Sequence, residues 1–394
     1  MPILRRLAGL AGLLLATGSA AAADLPAEPT PVDYVRVCDA FGAGFLYVPG
    51  TDTCARMMGR MRAEYRAFGS NEAFGGPGWY SNSQPGYVFR ARAYLYSDSR
   101  TNTEFGLLRT YTEIWVTQDT NAPLSFLLHN AQIEIAGLTA GRTASFYDLF
   151  FGDVYDSVFK MSGVGNPDFA TNLLAYTARF GGGLSASLSL EDAVDHTSNV
   201  WVNGATRDGA KTKMPDIVGN LKLEQGWGTA QVMAALHDVR TVRGGGESAM
   251  GYAVGGGLIV NLPMLGERDR LGVQGSWTNG ALKYLAQNAK GPFFADGVWT
   301  RSGGLELASG WAIGGSYIHH WSPAFSSAIG ASYLDVDAPS PATSMSNLDL
   351  QANLVWYPVK GLQIGGEVEW KRVTPTKGEI ADGLVGLLRI QRDF

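Results

Sequence analysis

The sequence predicts an all-β protein, a transmembrane antiparallel β-barrel of about 16 strands. Three observations carry that expectation. Apolar and polar residues alternate with period two along most of the chain. The alternating runs recur at regular spacing and are joined in turn by tight and by long connections. Glycine is abundant, at 51 of 394 residues, while only 17% of residues are charged, against ~25% in soluble domains.

Composition also excludes whole classes. With 10 Trp, 16 Tyr and 17 Phe the chain has ample surface to bury, so it is not disordered. An isoelectric point near 5.6 and the absence of any Lys/Arg block argue against a nucleic-acid partner. No G-x-S-x-G, H-E-x-x-H or P-loop occurs, and neither a cofactor nor a metal is expected.

The N-terminus reads as a secretory leader over residues 1–23. Arg5 and Arg6 precede an apolar run from Leu7 to Ala16, and Ala21 to Ala23 offer a small-residue cleavage site. Removing the leader takes the formal net charge from -5 to -7. The remainder holds no run of ~18 apolar residues, so no transmembrane helix is expected. Residues 24–54 form an N-terminal segment holding the only two cysteines, Cys38 and Cys54. An oxidising compartment favours a disulfide between them, closing a loop worth about 3 kcal/mol. No histidine accompanies them, which argues against zinc.

Residues 55–394 carry the barrel pattern. Between Ala55 and Phe68, Met58, Arg60, Arg62, Glu64 and Arg66 share one face, and Met57, Gly59, Met61, Ala63 and Tyr65 the other. The segments from Tyr87, Leu107 and Leu127 repeat the alternation. Candidate strands are 55–68, 86–98, 105–118, 126–136, 138–147, 171–181, 184–192, 216–225, 228–238, 250–261, 269–279, 305–320, 324–337, 346–357, 361–373 and 381–394. Tight connections at Ala136-Gly137, Gly181–Gly183 and Gly226-Trp227 contrast with long ones such as 148–170, 193–215 and 280–304. Aromatics near segment ends, including Tyr94, Tyr96, Trp115, Trp277 and Trp311, suggest interfacial girdles. The amphipathic run that closes on Phe394 resembles the C-terminal assembly signal of bacterial outer-membrane proteins, with Arg392 departing from its usual pattern.

Charge singles out two groups of residues. Arg60, Arg62, Arg90, Arg92, Arg109 and Arg142 all fall in the polar period. An arginine at the lipid midplane costs about 2–4 kcal/mol, so these side chains are expected to form a basic wall inside a lumen. The stretch 148–170 carries Asp148, Asp153 and Asp156. Folded inward, it would set acids opposite the arginines, and the transverse field would sort small hydrated solutes by size and charge. A plain structural network through Glu64 and Glu113 is the competing reading of the same arginines.

The run from Tyr34 to Phe45, with Val48-Pro49-Gly50-Thr51-Asp52-Thr53-Cys54, resembles the N-terminal signature of alphaproteobacterial (Rhizobiales-type) outer-membrane porins. Leu174 to Gly181 and Leu388 to Phe394 are similar to that family too. The resemblance implies a multi-pass barrel in the bacterial outer membrane, a homotrimer passing ions and small hydrophilic solutes passively. It also implies contact with outer-membrane lipids and lipopolysaccharide, insertion by the barrel-assembly machinery, and a third loop that enters the pore. Strand one departs from the family's Gly-Tyr-Val-Arg, reading Gly59-Arg60-Met61-Arg62.

Other functions remain open on sequence alone: a sugar- or anion-specific channel, a plugged structural barrel, or an outer-membrane enzyme. His129, His196, His237, His319 and His320 are the histidines an enzyme would draw on. The His237-Asp238 pair is a weak signal, because adjacent strand residues point to opposite faces.

Overall fold

A computed structural model describes residues 36–69, 86–149, 153–155, 158–198, 200–202, 212–287, 294–300, 302–340 and 344–394. The leader over 1–23 lies outside these residues, as does Asp156.

Sixteen strands make the barrel: β1 (Cys54–Phe68), β2 (Tyr87–Thr103), β3 (Gly106–Asp119), β4 (Ser125–Ile135), β5 (Leu138–Thr143), β6 (Thr171–Gly181), β7 (Leu184–Glu191), β8 (Asp216–Gln225), β9 (Gly228–Arg240), β10 (Ser248–Asn261), β11 (Arg270–Asn279), β12 (Ser309–Ser322), β13 (Phe325–Asp337), β14 (Met345–Val359), β15 (Leu362–Pro375) and β16 (Ala381–Asp393). Each pairs antiparallel with the next, and β1 pairs with β16, so the sheet has no open edge. At the seam Arg60 lies opposite Asp393 and Glu64 opposite Arg389. Phe394 N–H donates to Gly59 O at 3.0 Å and Gly59 N–H to Phe394 O at 2.8 Å, extending the ladder by one residue.

Burial is inverted relative to a soluble protein. Leu388 is 63% exposed, Ile390 53% and Phe89 59%, whereas Glu64 is 3%, Arg66 6% and Arg389 5% exposed. Apolar outward and charged inward is the pattern a hydrocarbon solvent selects, with every backbone group paired around a closed ring. Among the described residues no helix is long and apolar enough to cross a membrane.

The sixteen expected strands are all present, and their ends differ by more than two residues in three places. β2 runs on to Thr103, where its ladder with β3 closes at a short turn. β5 stops at Thr143, and the chain leaves the sheet there. The stretch expected as one strand over 305–320 is split: Leu305–Leu307 joins a small sheet with Gly297–Trp299 and Val200–Val202, and β12 begins at Ser309. That small sheet links the 192–215 and 280–308 connections.

Two tight turns show why glycine is common. Gly183 (φ +82°) and Gly228 (φ +142°) have left-handed backbones, and a Cβ at either would lie 1.9 Å from a carbonyl oxygen of the adjoining strand. Near the same end of the barrel, Cys38 and Cys54 form the expected disulfide. Both are buried with Phe45, and Leu46–Tyr47 pairs with the start of β1.

Candidate pore constriction

The connection between β5 and β6, residues 144–170, is anchored to side chains on the polar face of the wall. Its backbone donors need partners once it leaves the sheet. Tyr155 N–H donates to Glu367 Oε2 at 2.6 Å, and Phe159 and Val158 N–H donate to Glu369 Oε2 at 2.6 and 3.1 Å. Ser162 N–H reaches Ser332 Oγ at 2.9 Å and Leu149 N–H reaches Gln274 Oε1 at 3.2 Å. In the other direction, Gln351 Nε2 donates to Phe159 O at 2.6 Å and Asn353 Nδ2 to Asp153 O at 3.1 Å. Buried carboxyl oxygens accepting backbone N–H groups anchor the connection, because a buried donor left without its partner costs about 1–3 kcal/mol.

Strand glycines make room for this connection. A Cβ at Gly314 would lie 2.5 Å from Val164 Cγ2 and 2.6 Å from Ser162 O. At Gly365 it would meet Tyr155 Oη at 2.3 Å, at Gly257 Leu149 Cδ2 at 2.7 Å, and at Gly330 Met161 Sδ at 3.0 Å. Part of the high glycine content therefore serves the seating of one segment against the wall.

Beside the anchors on β15, the next strands round the barrel, β16, β1 and β2, carry a cluster of arginines. Glu64 is its acidic centre: Arg389 Nε donates to Glu64 Oε1 at 2.7 Å, Arg66 is paired with Oε2, and Arg62 Nε lies 3.7 Å away. Arg60 Nε donates to Asp393 Oδ1 at 2.6 Å and Arg90 Nη2 to Asp119 Oδ2 at 2.6 Å. Arg62 Nε donates to the neutral Gln391 at 3.1 Å, and Arg92 Nε to Thr117 Oγ1 at 2.7 Å. The arginines outnumber the carboxylates among them.

An open space of about 1170 Å³ is lined by both groups: Arg60, Arg62, Arg90 and Arg389 from the strands, and Asp153, Tyr155 and Asp168 from residues 144–170. Arg389 Cζ stands 3.8 Å from the Tyr155 ring centroid. Asp168 Oδ2 accepts from Lys160 Nζ at 3.1 Å. Enclosure would raise the Asp168 carboxyl, but Lys160, then Arg92 and Arg62, hold it below its ordinary value. Burial raises Asp153 despite its contact with Arg270, whose Nη2 is 2.6 Å from Asp153 Oδ1.

The residues expected at a constriction divide accordingly. Arg60, Arg62, Arg90 and Arg109 line the space. Arg109 lies near the short-turn end of β3, with Nε donating to Asp98 at 3.0 Å and Nη1 to Glu134 at 3.1 Å. Arg92 sits behind the lining, 8% exposed. Arg142 faces elsewhere, its Nη1 3.5 Å from Asp195 Oδ2. Asp148 lies behind the cavity, accepting both its bonds from Gln287 Nε2 at 2.7 Å, and burial pushes its carboxyl up to about 7. Asp168, Arg389 and Arg270 are additional lining charges that motif reading missed. Arg389 shares a face with Gln391 and Asp393, so its parity was the available signal; nothing local marked Asp168.

Tyr94 and Trp115 correct the girdle expectation. They are 3% and 5% exposed and face inward, opposite one another across β2 and β3. Their parity follows Arg90 and Arg92. Among the described residues, no group of three His, Cys, Asp or Glu is placed to hold a metal ion. His237 Nδ1 is 2.7 Å from Asp216 Oδ1 and His196 stacks on Tyr284 with centroids 4.6 Å apart, both buried.

A closed sixteen-strand barrel, apolar outside and charged within, around an open space of about 1170 Å³ defines a β-barrel membrane channel. A sequence model of the porin subfamily matches residues 23–382, and the chain belongs to that family. Over 252 residues it is 32% identical to porin Omp2b of Brucella abortus, covering 61% of this chain and 67% of that one. The porin Omp2b of Brucella melitensis gives the same figures. Among solved structures, the outer membrane channel DcaP of Acinetobacter baumannii superposes with a TM-score of 0.71 at 16% identity, covering 88% of this chain and 99% of that one. The anion-selective porin from Comamonas acidovorans gives 0.53 at 12% identity, with 87% and 100% covered. The protein is an outer-membrane, multi-pass porin, a channel for passive diffusion.

Proposed function

We propose that residues 144–170 fold into the bore and face a basic wall, and that this pair of surfaces sets which solutes pass. The observation that carries the reading is the single space lined by Arg60, Arg62, Arg90 and Arg389 together with Asp153 and Asp168. Opposed fixed charges across water produce a field transverse to the path. A small ion or polar solute crosses with its hydration nearly intact, while a large or apolar one loses hydration and is slowed. The excess of guanidinium groups biases the bore toward anions. Positioning and charge suffice for this role, so we read the chain as a channel without turnover.

The homotrimer is part of the same reading. A trimer form is among the solved porins that share the fold, the outer membrane protein OmpT of Vibrio cholerae at a TM-score of 0.51. The leader over 1–23, delivery by the assembly machinery and a lipopolysaccharide-bearing outer leaflet complete the proposal.

Liposome swelling tests the size limit. Proteoliposomes should swell in iso-osmotic sugars at rates that fall steeply from pentose to trisaccharide. Equal rates for all sugars would contradict a constriction of this kind.

A further inference from the structure

The positive charge of the wall poses a physical problem, because like charges crowd one another and the simplest remedy, an acid beside each arginine, would cancel the field. Arg60 follows that remedy with Asp393. Arg62 and Arg92 are held differently: their Nε atoms donate to neutral Gln391 and Thr117, and the acid beside Arg62, Glu64, stands farther off at 3.7 Å. What the three share is the Tyr94 ring. Its centroid lies 5.5 Å from Arg60 Cζ, 5.1 Å from Arg62 Cζ and 5.7 Å from Arg92 Cζ. Tyr94 lies directly opposite Arg60 on one side and Trp115 on the other. Trp115 meets it edge-on, with centroids 5.1 Å apart, and takes Arg92 at 4.8 Å. At 3% exposure the ring is largely covered by these cations, and it lies at the lining of the open space beside Arg60 and Arg62.

An aromatic face attracts cations through its quadrupole and carries no net charge. It therefore gathers guanidinium groups without neutralising them. We propose that Tyr94 is the positioning residue that sets the ion selectivity of this channel, holding Arg62 and Arg92 in place while adding no counter-charge of its own. The proposal rests on the basic-wall reading given above.

The test is the reversal potential of purified protein in a planar bilayer under a KCl gradient. Tyr94→Phe keeps the ring and loses only the long bond that Arg92 Nη1 donates to Tyr94 Oη at 3.4 Å, so it should stay close to the wild type. Tyr94→Leu keeps every charge, yet should lower the anion-to-cation permeability ratio about twofold to fivefold, the range that corresponds to loss of one such contact. Should Tyr94→Leu not assemble, judged by heat-modifiable migration, Tyr94→Met removes the ring at similar volume and is read instead. The paired variant Arg62→Gln/Arg92→Gln separates the two levels of the account. A wild-type ratio in the ring-less variants, with a shifted ratio in the arginine pair, overturns the role of Tyr94 alone. An equal shift in Tyr94→Phe and Tyr94→Leu also overturns it, because the ring would then not be the active element. An unshifted arginine pair overturns the wall reading, and this proposal with it.

Discussion

The Arg389 guanidinium carbon sits 3.8 Å from the centre of the Tyr155 ring, a stacked contact between the last strand and the segment 144–170. The seam of the barrel and the proposed constriction element are thereby coupled. Tyr155 is held from behind by its own backbone bond to Glu367. Removing the ring with Tyr155→Ala should loosen the contact by about 0.5–2 kcal/mol. Single-channel records should then show larger open conductance and more substates, whereas Tyr155→Trp should resemble the wild type.

Gly314 offers a second handle on the same segment. A Val side chain there would collide with Val164 and Ser162, and overpacking of this kind costs about 1–3 kcal/mol. The strand ladder does not depend on the missing Cβ, so the barrel should still close. Gly275 on the neighbouring strand has no atom nearer than 3.5 Å to such a Cβ and serves as the control. Limited proteolysis should cut within 144–170 faster in Gly314→Val than in Gly275→Val.

Stability should fall as pH rises through the mildly acidic range. Burial pushes Asp148 up to about 7 and Asp296 up to about 6, so the folded protein holds protons there that the unfolded chain releases near pH 4. Where the native state binds more protons, raising pH destabilises it, and the effect levels off above the folded values. His196 acts in the same direction: burial opposes its charge, but Glu191 raises it net, so its contribution fades at high pH. Asp168 is depressed and acts oppositely, with stability lost only as pH drops below the ordinary carboxylate range. Melting temperatures measured from pH 4 to 8 should decline, and Asp148→Asn with Asp296→Asn should flatten the decline.

Much of this was legible in the sequence for one physical reason: a wall between lipid and water writes itself as period two. The inward set Arg60, Arg62, Glu64 and Arg66 and the outward set Leu384, Leu388 and Ile390 are each read off by counting alternate residues. Parity also placed Tyr94 beside Arg92, although its aromatic character suggested the membrane boundary instead. Contacts that depend on the path of a long connection were not legible. Asp148 and Asp168 look alike in sequence; the fold puts one against Gln287 and the other near Arg62. The glycines at 314, 330 and 365 read as weak strand residues until a second segment is laid against them. Arg142 groups in sequence with the inward arginines, but the register sets it opposite Ala131 and Asn172, on the face of β5 that carries the exposed Leu138, and the side chain meets Asp195.

The central claim, a water-filled bore biased by arginines, is tested most directly by reversal potential in a planar bilayer. Wild-type protein under a KCl gradient should conduct in discrete, ohmic steps with an anion-favouring reversal potential. Arg60→Gln, Arg62→Gln and Arg90→Gln combined should move that potential toward cations. Conductance that never appears, or a reversal potential unmoved by the three substitutions, would contradict the account.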